Sequence, residues 1–321
     1  MNGLESIATG PMWVGFIAFV VLMLALDLFV FGGNKAHKVS VKEAAIWSLV
    51  WVSLALLFNG GLWWYLTQTA GAAVADQKAL EFFSGYLIEK TLSVDNVFVF
   101  LLIFTAFQVP AQYQRRILIY GVLGAIVMRA VMILAGAWVV SEFSWVLYLF
   151  GAFLLITGLR MLVAADAEPD VASNPVLRLA KKHLRVSDED HGERFFVKKN
   201  GLRYVTPLFL VLILIEVTDL VFAVDSIPAI FAITTDPFIV FTSNLFAIMG
   251  LRALYFLLVD VADRFHLLKY GLALVLAFIG AKMLILPWYH VPVQVSLTVV
   301  AVLIAASCAA SLIVTRKAEP K

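Results

Sequence analysis

The chain has 321 residues, 62% of them hydrophobic and only 14% charged, against roughly 25% charged in a soluble globular protein. It reads as an integral membrane protein, and the net charge of +2 is uninformative in total, so only its placement counts. The single cysteine, Cys308, excludes an intrachain disulfide or a vicinal-thiol redox centre.

Apolar runs long enough to cross a bilayer, about twenty residues each, fall at roughly 12–32, 44–66, 80–107, 115–138, 145–163, 206–232, 238–259, 267–287 and 291–315. They predict an all-α polytopic membrane protein of about nine transmembrane helices. The whole chain, 1–321, forms a single transmembrane domain in contact with the lipid bilayer. The first run is too long for a signal-peptide core and has no basic region before it, so it reads as a retained span.

Basic residues set the orientation. Lys35, Lys38 and Lys42 follow the first span, and Arg115 and Arg116 follow the third. Eight more, Arg178 to Arg203, lie in the loop after the fifth, and Arg316, Lys317 and Lys321 end the chain. The alternate loops hold almost none, which predicts a periplasmic or extracellular N-terminus and a cytoplasmic C-terminus. The polar stretch at about 164–204 is too short for a catalytic domain of its own. It reads as a solvated cytoplasmic connector, the alternative being a surface that docks a protein partner. No nucleic-acid partner is expected, and the sequence does not indicate an oligomeric state.

The third to fifth spans echo the sixth to eighth. Ala125-Ile-Val-Met-Arg129-Ala matches Ala247-Ile-Met-Gly-Leu-Arg252-Ala with a one-residue gap, and Gly158-Leu-Arg160-Met-Leu matches Gly280-Ala-Lys282-Met-Leu. Because each unit has three helices, the second enters from the opposite side. This is an inverted repeat, with unit one at about 80–163, unit two at about 205–287 and a final helix at about 291–315. A binding site at the repeat interface is a recurring transporter arrangement.

Six carboxylates lie in apolar runs: Asp27, Glu89, Asp95, Glu216, Asp219 and Asp225. Aligning Asp95-Asn96 with Asp225-Ser226 places Glu89 over Asp219. Each acid at bilayer depth costs roughly 2–3 kcal/mol, so a cation should neutralise them. Arg129 and Arg252 can pair with some of the acids, but two arginines do not neutralise six. Both compensate charge, either by holding a carboxylate in one rotamer or by occupying the acidic site when a metal leaves.

Glu89 and Asp95, like Asp219 and Asp225, are six residues apart, which on an ideal helix is a turn of about 240°. Each acid then faces a different neighbour, or the helix breaks between them. Pro228 favours a break in the sixth span, since it cannot bond the carbonyl of Val224. Ser93, Asn96, Thr218, Ser226 and Asn244 add neutral oxygens. The candidate metal ligands are Glu89, Asp95, Asn96, Glu216, Asp219, Asp225 and Ser226, with Asp27 and Asn244 as additional members. Such hard oxygen donors suit Mn²⁺, Mg²⁺ or Ca²⁺. The histidines His37, His183, His191, His266 and His290 lie at loops or helix ends, and Met128, Met132 and Met249 read as packing, so a soft-metal site fits less well.

These residues resemble the TerC family of membrane proteins, in particular its Alx-like branch. The resemblance rests on Glu89-Lys-Thr-Leu-Ser-Val-Asp95-Asn96-Val-Phe98 and on Glu216-Val-Thr-Asp219-Leu-Val-Phe-Ala-Val-Asp225-Ser226-Ile-Pro228. It continues through Thr234-Thr-Asp236-Pro237 and Thr242-Ser-Asn244 to Gly250-Leu-Arg252 and covers nearly the whole chain. It implies a bacterial inner-membrane protein associated with Mn²⁺ export and with tellurium-resistance naming, and kinship with lysine-exporter-like transporters. Tellurite reduction would need thiols or a cofactor, which the sequence does not suggest.

The expected function is secondary export of Mn²⁺, with Mn²⁺ as transported ion and no permanently bound cofactor. No Walker motif is present, so an ion gradient, plausibly of protons, supplies the energy. The alternative is a non-transporting membrane scaffold in a stress or redox-associated complex. A membrane enzyme ranks last, because no nucleophile, base or redox centre is evident.

Overall fold

The computed structural model describes residues 6–31, 40–143, 145–163, 175–187, 192–199, 201–259, 267–289 and 291–318. Eleven helices and one hairpin follow in chain order: α1 (Gly10–Phe31), α2 (Val41–Thr69), α3 (Ala72–Ala106), α4 (Ala111–Glu142), α5 (Val146–Val163), α6 (Pro175–His183), β1 (Phe196–Lys199), β2 (Leu202–Val205), α7 (Pro207–Phe231), α8 (Pro237–Met249), α9 (Leu251–Leu258), α10 (Leu268–Ile285) and α11 (Val293–Ala318).

Local chemistry sets several of these starts. Ser40 accepts the Glu43 N–H at 3.2 Å and begins α2 as half of a capping box. Asp236 accepts the Phe238 N–H at 3.0 Å with Pro237 next to it, so α8 begins with a capping side chain followed by a proline preset for the first turn.

The protein is a multi-pass integral membrane protein. Among the described residues, six helices (α2, α4, α5, α7, α10 and α11) are long and apolar enough to cross a bilayer, or seven if the bent pair α8–α9 is one span. The 35-residue α3 carries Asp76, Lys78, Glu81, Glu89, Lys90 and Asp95 and is not among them. Large apolar side chains such as Val131 (62% exposed) and Val302 (60%) face outward, the inverse of a water-soluble surface. Inside, Phe16, Phe19, Phe58 and Phe82 surround Phe246, with the Phe58–Phe246 centroids 5.0 Å apart.

Two expectations need correction. No break occurs at Pro228: α7 runs through it to Phe231, because the proline lies in the last turn, where losing one backbone bond no longer interrupts a long ladder. The break falls instead in the seventh predicted span, where α8 and α9 meet at 41° beside Gly250. Nor is the connector merely solvated chain. It contains α6 and the antiparallel pair β1–β2, and Arg116 of α4 holds Glu193 at 3.3 Å while lying over the Phe195 ring.

Helix pairing follows the small residues. α5 lies along α10, α3 packs on α8 and α7, α4 packs on α7, and α2 covers α3 and α9. At the α5–α10 seam the backbones touch. A Cβ on Gly158 would stand 2.6 Å from the Ala273 carbonyl oxygen, and one on Gly280 would stand 2.6 Å from that of Gly151. Between α3 and α8, a Cβ on Gly85 would stand 2.8 Å from Ser243 Oγ, and between α4 and α7, one on Gly121 would stand 3.2 Å from Ile215. Gly280→Ala should therefore destabilise the protein by about 1–3 kcal/mol through overpacking. Gly60→Ala, which meets nothing within 4 Å, should be neutral or mildly stabilising. Thermal unfolding of the two purified variants in detergent checks the contrast.

Candidate functional site

Helices α3, α4 and α7 bring three charged side chains together in the interior. Arg129 of α4 is 1% exposed, Glu89 of α3 is fully buried and Asp219 of α7 is 2% exposed. Arg129 donates Nε and Nη2 to the two carboxylate oxygens of Asp219, at 3.1 and 2.9 Å. Its Nη1 donates to Glu89 Oε1 and lies 3.5 Å from Ser226 Oγ. The fork satisfies Asp219 completely and Glu89 by half, since Glu89 Oε2 is buried with no hydrogen-bond partner among the described residues. A planar guanidinium suits two carboxylates from different helices, as its donors point in fixed, diverging directions.

Beside this triad lies a cavity of about 60 Å³. Its polar lining is Glu89, Asn96, Arg129, Asp225 and Ser226, closed by Leu92, Met161, Phe222, Leu272 and Leu276. Asn96 Oδ1 is buried there without a partner, while Asp225 is partly exposed and partnered. Glu89 and Asp225 thus reach one cavity from two helices, and Asp219 meets it through Arg129. α3 and α7 run unbroken through these positions, which excludes the helix break, the second of the two arrangements considered from sequence.

Other predicted members lie elsewhere. Glu216 sits half-buried against Gly124 of α4, where a Cβ would collide with its carboxylate, and does not line the cavity. Asn244 is fully buried on α8 with both amide atoms unpartnered among the described residues, and it too is outside the cavity lining. The Ser93 and Thr218 hydroxyls donate, each at 2.7 Å, to the carbonyls of Glu89 and Leu214 on their own helices. Arg252 is buried and partnered on α9, past the Gly250 bend. Asp27 lies on α1 and Asp95 on α3, with side chains outside the described residues. His183 is exposed on α6, bonded to the Leu179 carbonyl, and His37, His191, His266 and His290 lie outside the described residues. Among the described residues, no three His, Cys, Asp or Glu side chains stand together as a ready-made metal site.

A second buried network was not anticipated. Glu81 of α3 accepts from Gln77 Nε2 at 2.8 Å, Lys78 Nζ at 2.8 Å and Thr234 Oγ1 at 2.6 Å. Asp236, besides capping α8, accepts the Ile7 N–H at 3.0 Å and lies 3.7 Å from Lys78 Nζ. The network ties the start of α3 to the α7–α8 turn and the N-terminal segment. Lys90 was also missed: its Nζ donates to the Ala247 carbonyl at 3.4 Å and stands 2.6 Å from where a Cβ on Gly250 would be. A side chain at the bend would have to displace the ammonium, the movable end of a flexible lysine, and press on Trp51.

A family model described as Integral membrane protein TerC family matches residues 74–319. The chain is 60% identical to the Alx proteins of Shigella flexneri and Escherichia coli (strain K12), named as candidate membrane-bound redox modulators. Each alignment covers 297 residues and 92% of this chain, with 93% and 92% of the relatives. Membrane protein STKORF319 of Myxococcus xanthus is 48% identical over 99% of this chain and 97% of its own. No solved structure matches.

Glu81→Ala would strand Lys78 and Thr234 in the interior, at a cost of about 1–3 kcal/mol for the unsatisfied groups. Lower thermal stability, with the fold retained by circular dichroism, is the expected outcome.

Proposed function

The chain belongs to the TerC family of integral membrane proteins, and from that premise we propose that it exports a divalent cation, Mn²⁺ first among candidates, as a secondary transporter and not an enzyme. One observation carries this reading: a cavity that Glu89, Asn96, Asp225 and Ser226 line with oxygens, two of which, Glu89 Oε2 and Asn96 Oδ1, are buried with no partner among the described residues. Buried polar atoms left unpaired are uncommon, and hard oxygens of this kind are ligands for Mn²⁺, Mg²⁺ or Ca²⁺. Glu89, Asn96, Asp225 and Ser226 form the first contact set, Asp219 joins when Arg129 releases it, and Asp95 belongs to the same helix. No resident cofactor is required, and uptake of protons by emptied carboxylates outside the reach of Arg129 supplies the coupling.

The architecture behind this reading is an inverted repeat of α3–α4–α5 and α7–α8/α9–α10, with α1 and α3 also crossing to give nine spans. Reciprocal contacts support it. Gly158 on Ala273 is mirrored by Gly280 on Gly151, and Gly85 on Ser243 is mirrored by Ile215 on Gly121, each pair exchanging equivalent positions of the two units as a two-fold interface does. Orientation follows the basic loops, with the N-terminus periplasmic, the C-terminus cytoplasmic and the bacterial inner membrane as location.

A second reading, a membrane scaffold in a redox-associated complex, is favoured by the folded connector and by the name its relatives carry. Replacing residues 164–204 with an unrelated polar linker distinguishes the two, since a scaffold loses its phenotype while Mn²⁺ efflux, if present, persists. For the transport reading the measurement is ⁵⁴Mn²⁺ efflux from loaded vesicles. Asp225→Asn and Asn96→Ala should each slow it by roughly tenfold, equivalent to about 1.4 kcal/mol, with Glu216→Gln affected less. A wild type that moves no Mn²⁺ overturns the proposal, and efflux indifferent to pH gradient and membrane potential overturns the proton coupling.

A further inference from the structure

We propose that Arg129 is the protein's built-in substitute for its cargo: its guanidinium occupies the space between Glu89 and Asp219 while no metal is bound, and the emptied carrier returns with it in place. This rests on the transport reading above. A carrier whose empty site exposes two bare carboxylates to the bilayer interior faces the cost of uncompensated buried charge. Arg129 removes most of that cost by contacting both acids at once. The balance is incomplete, since two carboxylates and one guanidinium leave a net charge of −1, whereas a divalent cation between the same acids leaves none. The site is therefore held in a state that a divalent ion can displace.

Geometry gives the displacement a starting point. An ion pair built solely to hold helices together should satisfy every buried oxygen. Asp219 is satisfied on both oxygens, but Glu89 Oε2 is not, and it lines the cavity with the unpartnered Asn96 Oδ1. The cavity volume of about 60 Å³ exceeds the roughly 10–15 Å³ that one water-sized probe needs. A cation can therefore engage Glu89 and Asn96 before Arg129 has moved, then take Glu89 Oε1 from Nη1. Ser226, 3.5 Å from Nη1, is the next oxygen exposed.

The test is Arg129→Gln, read two ways. As a competitor for the site, Arg129 weakens metal binding, so purified R129Q should bind Mn²⁺ roughly tenfold more tightly. A purely positioning arginine predicts the opposite sign. In vesicles, R129Q should lose net ⁵⁴Mn²⁺ efflux yet keep exchange when unlabelled Mn²⁺ is supplied on the far side, because only the empty return is blocked. R129K keeps a cation at the site and should keep net efflux, and it carries the test if R129Q does not insert. Weaker binding in R129Q, net efflux at the wild-type rate in R129Q, or loss of net efflux in R129K overturns the inference. A wild type that neither binds nor moves Mn²⁺ defeats the transport reading itself.

Discussion

Everything in the interior is arranged around one guanidinium serving two carboxylates from two different helices. Glu89 and Asp219 would repel each other and resist burial, and Arg129 makes their approach possible by presenting donors to both. That requirement fixes the relative placement of α3, α4 and α7, because a buried charge tolerates little misalignment. It also explains the glycines of α4. Gly121, Gly124 and Gly136 lie against Ile215, Glu216 and Phe231 of α7, so the two backbones come close enough for Arg129 to reach Asp219 by both of its forks.

Polar chemistry is layered along the helices instead of scattered. Near the beginning of α3, Glu81 and Lys78 tie down the α7–α8 turn; at its middle, Glu89 meets Arg129; between them Gly85 admits Ser243. The first layer is saturated with partners, while the second keeps two oxygens unclaimed. A saturated network rigidifies, and a partly open one leaves room for a ligand. The contrast separates a structural cluster from a candidate binding site better than burial does, since Glu81 and Asp236 are nearly as buried as Glu89 and Asn96.

Much of this was legible in sequence, and the exceptions have physical causes. Hydropathy located the apolar helices because bilayer thickness dictates their length. The Glu81 cluster escaped because Lys78 falls just outside the apolar window and Thr234 and Asp236 lie in a turn, so nothing local joins them. The break was misplaced because a proline signals helix distortion only where residues remain to be disrupted. A glycine beside a lysine-occupied carbonyl carries no comparable local mark. The hairpin did have one: Asn200-Gly201 between two alternating segments is a strong two-residue turn signal, and Gly201 has φ +77°.

Glu89 and Lys90 are neighbours on one helix with opposite duties. The first faces the arginine, and the second holds the Ala247 carbonyl at the α8–α9 bend. Adjacent residues on a helix stand about 100° apart and turn together. Any rotation of α3 that draws Glu89 toward a new partner swings Lys90 off the bend in the same motion. One helix thus joins the charged centre to the α8–α9 bend through two adjacent residues, with no intermediary needed.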